Sequence, residues 1–376
     1  MFYKLKTVVK NLLRAILKYF GLTLLDQAQT NAFLCSSLLK AYPQNYIKLP
    51  AIENCANSGG LIFKQKEAVT NQVCVWMYNC EGQQVRQFRH GGIVVNSKVL
   101  CTDFDQTGFY KSLVKRNKRS PHFVKTVIAP WSQYMDGFKF VGYYDFVFLI
   151  AAKLCRIKEC VSADDFSKAI ISYPLLGTSY EQEYLELLGI KRTDILDSRY
   201  NNIRFEKVIL ANSGHWYYPN IADVFAFKKY VENKLQIKKN NQNRIYVSRS
   251  GRRCIKNEKE LIELLGKFDF IIIEDKPRSI FEQVEIYKNA SFIIGPHGAS
   301  FTNIIWCEPG THLFELFSPN FVPDFFLYIA TIMGMKYSAY YDSERKKDNK
   351  NDYKNNMIED IFVSIPELEK HLLSFL

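Results

Sequence analysis

The chain is poor in the features that would assign it quickly. No two of its nine cysteines have the C-x-x-C spacing of a zinc or redox site; the nearest pairs are Cys74–Cys80 and Cys155–Cys160. An odd number of thiols without a pairing pattern argues against a disulfide framework and fits a reducing compartment. No segment carries the roughly 18 consecutive apolar residues of a membrane span. The N-terminus lacks the continuous apolar stretch and small-residue cleavage site of a secretory signal, so the expected localisation is cytoplasmic. There is no internal repeat and no long low-complexity tract. RNP, helix-turn-helix and zinc-finger patterns are all absent, which removes the usual grounds for a nucleic-acid partner.

Acidic residues are missing from particular places. The net charge is +12 over 376 residues, and the excess is blocky. Lys4, Lys6, Lys10, Arg14 and Lys18 precede the first acid, Asp26. Lys111 to Lys125 is a second cationic block, and Lys228 to Lys256 contains one acid, Glu232. Such blocks are ordinarily solvated faces, but a phosphate-bearing or membrane partner suits them. Over residues 1–25, Phe2, Leu5, Val8, Val9, Leu12, Leu13, Ile16, Leu17 and Phe20 recur at helical spacing between the cations. This predicts a basic amphipathic helix, too interrupted to span a bilayer. It either lies on the anionic inner face of the cytoplasmic membrane or packs on its own domain.

A chain of this length exceeds what one core usually supports, about 250–300 residues, so two domains are expected. The boundary is placed near Asn220, giving domains of 26–220 and 221–376, with a final helix that can pack back on the first. The second half alternates cleanly. Arg244–Ser248 reads as a strand, Asn257 as the cap of a helix through Gly266, and Phe268–Ile273 as a strand buried on both faces. Ser279 and Glu282 form an S-x-x-E capping box. Ser291–Ile294 reads as a buried strand, Ala299–Glu308 as a helix and Thr311–Phe317 as a strand. In the first half, Lys207–Leu210 reads as a short buried strand. Strand–helix–strand repeats of this spacing predict an α/β fold with a parallel sheet, binding ligands at the carboxyl ends of its strands.

The segment Gly295-Pro296-His297-Gly298-Ala299-Ser300-Phe301-Thr302-Asn303 lies at such a strand end. Its glycines admit close backbone approach, and amides at the following helix start suit a phosphate. Continued to Pro309-Gly310 and Glu315-Leu316, the pattern resembles the C-terminal signature of family 61 glycosyltransferases, an H-G-A-x-x-[TS]-N helix, a P-G turn and a strand ending E-L. Upstream, Ser248-Arg249, Arg252, Arg253 and Asn257-Glu258-Lys259-Glu260 resemble the family's arginine-rich segment and N-E-x-E helix start. The N-terminal half matches more loosely: in Gly142-Tyr143-Tyr144-Asp145-Phe146, Asp145 stands where the family usually has histidine.

The resemblance implies a GT-B fold, with two Rossmann-like domains facing across a cleft. It also implies inverting, metal-independent transfer from a nucleotide-sugar donor, UDP-linked, to a glycan or lipid-linked oligosaccharide in cell-surface polysaccharide synthesis. The donor residues it points to are Arg249, Arg252, Arg253, Gly295, His297, Gly298, Ala299, Ser300, Thr302, Asn303 and Glu315, with Asp145 as the base. Asp136 and His90 are alternative bases, and His215 lies beside an aromatic run. No cofactor and no metal are expected. Asp103-Phe104-Asp105 is a D-x-D that would hold a metal in the GT-A class and is ranked below the donor signature. The competing reading is a non-catalytic sugar-binding or scaffold protein of the same fold, fed by the missing histidine at Asp145.

Overall fold

The computed structural model describes residues 12–19, 21–56, 59–104, 107–114, 118–137, 142–239, 242–342 and 353–376. The protein is mixed α/β with several sheets and forms two compact units. The first runs through Asn45 and then from Thr70 to Val231; the second comprises Tyr46–Val69 and Glu232–Leu376. The expected break near Asn220 falls at the start of the helix Ile221–Leu235, and the break between units falls inside that helix.

In the first unit a six-stranded sheet is built from β1 (Leu38–Tyr42), β2 (Val73–Asn79), β3 (Ser120–Ala129), β4 (Ile170–Tyr173), β5 (Ile195–Asp197) and β6 (Asn201–Ala211). Its order is β5-β4-β3-β6-β2-β1. The first four strands are parallel, and β2 and β1 add antiparallel. Taken alone, the parallel part has the order 3-2-1-4, so the direction of winding reverses between β3 and β6. The short strand expected at Lys207–Leu210 is the end of the much longer β6. There Ile203 and Phe205 are buried while Arg204 and Glu206 face out, an alternation masked by the charges. A four-stranded sheet of Thr23–Leu24, Lys98–Val99, Ile93–Val95 and Val85–Gln87 accompanies it.

The N-terminal amphipathic segment falls partly outside the described residues. Residues 12–19 are helical; Leu17 packs on the Val94, Val99 and Phe109 cluster, whereas Leu12 and Ile16 are exposed. Among the described residues no helix is long and apolar enough to cross a membrane, and no disulfide joins any of the nine cysteines.

The second unit holds a wholly parallel sheet of β7 (Asn243–Val247), β8 (Phe270–Ile273), β9 (Ala290–Pro296), β10 (His312–Leu316) and β11 (Lys336–Tyr340), ordered β8-β7-β9-β10-β11. This is the 2-1-3-4-5 winding of a doubly wound sheet, whose switch point lies between β7 and β9. The Ser279–Glu282 capping box forms as expected, with reciprocal hydrogen bonds at the start of Ile280–Lys288.

Three local expectations differ from the structure. Strand β8 is at the sheet edge, so it is not buried on both faces: Ile271 is 49% exposed. Asn257 sits at the cap position of Glu258–Gly266 but makes no side-chain cap; its amide pairs instead with both backbone groups of Val363. The helix after His297 is a 3-10 helix, Ala299–Trp306, with three-residue backbone bonds from Phe301 to Gly298 and from Cys307 to Ile304. The final helix, Ile365–Phe375, packs within its own unit, placing Leu368 and Leu372 in the core with Leu261, Phe314 and Tyr340.

Candidate functional site

In the second unit, the switch point carries a pocket of about 430 Å3 lined by Arg249, Ser250, Arg252, Asp275, Ala299 and Ser300. Strand β7 delivers Arg249, and β9 delivers the His297–Ser300 turn. The Arg249 Nη1 donates to the carbonyl of His297 at 2.8 Å. Burial, with repulsion from Arg252, lowers its pKa to about 10, so it remains a cation at neutral pH. Ser250 is held by Asp275, whose Oδ2 accepts from the Ser250 amide at 2.7 Å and hydroxyl at 2.8 Å. Glu258, part of the N-E-x-E segment, accepts from Tyr246 and Ser248, each at 2.7 Å, and so pins the end of β7.

Gly298 is glycine because of Arg249. A Cβ at that position would lie 1.6 Å from the Arg249 Nη1, so any side chain displaces the guanidinium. Gly295 has a different reason: its Cβ would meet the Val247 carbonyl at 2.7 Å, so it serves the close pairing of β7 and β9.

Behind the turn lies a buried relay. His297 Nδ1 is 2.5 Å from Glu315 Oε1, and the Tyr337 hydroxyl donates to Glu315 Oε2 at 2.5 Å. The imidazole stacks on Phe317 and contacts Phe321 and Phe326. Burial, with the nearby charges of Arg253 and Arg249, drives its pKa well below the ordinary value, so His297 is neutral. Glu315 is fully buried, and each of its oxygens has a partner. It therefore orients His297 and does not present a free carboxylate at the strand end.

Thr302 and Asn303 are also buried; Asn303 donates to Gln283 and accepts from Trp306, fixing the 3-10 helix. Arg253, in left-handed backbone at φ +55°, donates to the Met357 carbonyl and lies over Phe321. Of the expected donor residues, the structure brings Arg249, Arg252, Ala299 and Ser300 to the pocket wall, with Gly298 beneath Arg249. Tyr337, Ser250, Asp275 and Gln283 were missed. No local pattern marks them, since each is recruited by a partner at least 20 residues away.

The first unit has its own switch point, between the carboxyl ends of β3 and β6. Asp145 lies in the first turn of a helix that starts at Tyr143 and passes through a π-helical turn at Val147–Ala151. Its Oδ2 accepts from the Gly142 amide at 3.0 Å, and its Oδ1 from the indole of Trp216, just beyond β6, at 3.2 Å. Burial raises its pKa against the pull of these two donors, which makes the carboxylate more basic than usual. Tyr143 bonds to Tyr184, and Tyr144 to the Tyr217 carbonyl. His215 Nδ1 accepts from the Tyr217 and Tyr218 amides, and burial lowers its pKa to about 4.

Asp136 holds the Trp131 indole at 2.8 Å. His90 is buried between Phe88 and Phe109 with neither ring nitrogen hydrogen-bonded among the described residues, and its pKa is lowered to about 3 by burial and by Arg119. It is neutral in the fold, whereas the unfolded chain protonates it as pH falls below 6.5. Its contribution to stability is therefore intact above pH 6.5 and is lost progressively towards pH 3. We expect about 2 kcal/mol of destabilisation at pH 5 from this residue. Urea titrations of wild type and His90→Leu at pH 7 and pH 5 check it: the wild type should lose more stability than the variant, and equal losses would contradict it.

Asp103 of the D-x-D is buried and internally occupied. Its carboxylate accepts from Ser132 and from the Ser213 amide, both at 2.5 Å, and lies 3.4 Å from Lys153 Nζ. Asp105 lies outside the described residues. Arg156 and Asp223, 3.2 Å apart, complete a buried set of two cations and two anions.

Comparison with known proteins places these features. A stretch of 61 residues, 16% of this chain, is 41% identical to the Beta-1,2-xylosyltransferase of Arabidopsis thaliana and spans 11% of that protein's length. A solved heptosyltransferase, the dodecameric iron-containing TibC in complex with ADP-D-beta-D-heptose, aligns over 88% of this chain and 92% of its own at 11% identity. Its TM-score of 0.30 is too low to bear on the fold. The family model Glycosyltransferase 61 matches residues 82–314, which take in the β7 arginine segment, the His297–Asn303 turn and the Asp145 helix. With more than half of its length so matched, the chain belongs to the glycosyltransferase 61 family.

Proposed function

We propose that the protein is an inverting glycosyltransferase of the GT-B kind. It would move a sugar from a nucleoside-diphosphate donor, UDP-linked, to a glycan or lipid-linked oligosaccharide in cell-surface polysaccharide synthesis. The observation that carries the reading is the Arg249–His297–Gly298 contact in a pocket at the switch point of a parallel sheet, in a chain of this family. The leaving diphosphate gains charge in the transition state. A fixed guanidinium stabilises that charge without reorganising, and so do the amides at the start of the 3-10 helix. Asp145 takes the proton of the acceptor hydroxyl. Its raised pKa and its place beside the first unit's switch point support that role.

The donor site is tested by titration calorimetry with UDP. Arg249→Ala removes a charge-assisted contact worth about 1.5–3 kcal/mol, so affinity should fall roughly 10–100-fold. Gly298→Val should fall comparably, because it displaces the same guanidinium. Unchanged affinity in both folded variants would remove the assignment. Charge neutralisation is assigned to arginine and backbone amides, so turnover should persist in EDTA. Loss of turnover that manganese restores would overturn that expectation.

A further inference from the structure

The first unit holds a second, larger cavity, of about 620 Å3, which the reaction described above does not use. It lies at the amino ends of β3 and β6, beside the strand Val85–Gln87, and so at the opposite end of these strands from Asp145 and Trp216. Three arginines line it, Arg86, Arg119 and Arg204, together with the amides of Gln83, Gln84 and Asn202; among the described residues no carboxylate does. Arg119 is fixed, donating to the carbonyls of Gln87 at 3.0 Å, Asn201 at 3.3 Å and Ser198 at 3.4 Å. Arg86 and Arg204 are exposed and have no hydrogen-bond or ion-pair partner among the described residues; Arg86 only lies over the Phe88 ring, at 5.0 Å. Mutual repulsion with Arg89 and Arg86 adds to burial in lowering the Arg119 pKa, as expected of positive charge left uncompensated. Phe123, 70% exposed, lines the same cavity and offers a face for a sugar ring.

We propose that this cavity is a second anion site that binds a phosphate-bearing saccharide. One anchored guanidinium and two uncommitted ones match the several oxygens of a phosphate better than the single charge of a carboxylate. The cavity is much larger than phosphate alone, and its amides and aromatic wall suit the attached sugar. Among the described residues its aromatic lining is Phe123 and Phe205, not a series of stacking rings, which disfavours a nucleic-acid strand.

The site is independent of the donor pocket, and the test exploits that. The full chain is titrated with glucose 1-phosphate and with a polyprenyl-diphosphate monosaccharide in detergent micelles. Arg86→Ala/Arg204→Ala should weaken binding at least tenfold at unchanged melting temperature, while Arg249→Ala leaves it at the wild-type value. Affinity should also drop steeply with added salt. Tighter binding of the polyprenyl compound assigns the natural ligand to a lipid-linked saccharide; equal binding assigns it to a soluble sugar phosphate. Absence of saturable binding, or loss through Arg249→Ala with the double variant unaffected, would overturn the proposal. Failure of the donor reading would appear separately, as UDP binding insensitive to Arg249→Ala.

Discussion

Asp145→Asn should lower turnover by about 10²–10⁴-fold while donor affinity and melting temperature stay near wild type. General-base catalysis contributes on that scale, and an amide cannot accept the proton. The alternative role is structural, since the carboxylate receives both the Gly142 amide and the Trp216 indole. A purely structural group would move stability more than rate, by about 1.5–3 kcal/mol for one hydrogen bond to a charged group. Trp216→Phe separates the two roles. Removing a donor to the charged form raises the Asp145 pKa further. The rate of wild type should fall as pH drops through the Asp145 pKa, and in Trp216→Phe that fall should begin at higher pH. Turnover of Asp145→Asn within a few-fold of wild type would assign the proton to another residue. Inactivity of wild type on every donor and acceptor tried, with UDP binding intact, would favour the sugar-binding or scaffold reading.

The largest expected effect on stability is at Lys153. Its ammonium is fully buried and faces Asp103, in a set that also holds Arg156 and Asp223. Burial lowers the lysine pKa and raises that of Asp223 to about 6, so each charge depends on its neighbours. Lys153→Met leaves one anion uncompensated, for which about 3–5 kcal/mol is typical. Adding Asp103→Asn removes that anion, so the double variant should lose clearly less than the sum of the single variants. Urea denaturation measures both; additive losses would show that Lys153 and Asp103 do not act as a pair.

The sequence was most legible where local rules suffice. The capping box at Ser279, the strand–helix alternation after Arg244 and the glycine turn at His297 each depend on residues a few positions apart. It was least legible where the deciding partner is distant in sequence. Glu315 at a strand end looks like a free carboxylate until Tyr337 and the His297 ring are brought to it. Asn257 looks like a cap until Val363 arrives. Asp103 in a D-x-D looks like a metal ligand until Ser132, Lys153 and Ser213 surround it. Strand β8 looked doubly buried because apolar runs alone do not report edge position.

The excursion of Tyr46–Val69 into the second unit has a consequence for how the chain is made and cut. Asn54 bridges to Ala339 and exchanges hydrogen bonds with the backbone of Tyr341, and Phe63 packs on Phe317 and Tyr337. These partners are synthesised long after the segment itself. At a synthesis rate of ~5–20 residues per second, the segment waits roughly 13–57 s for them. During that time Phe63 and Cys55 have no core to enter, so the second unit closes only after the chain has been made as far as Tyr341. A fragment beginning at Glu232 would lack this piece permanently, leaving Tyr337, the residue that steadies Glu315, without the Phe63 ring against it.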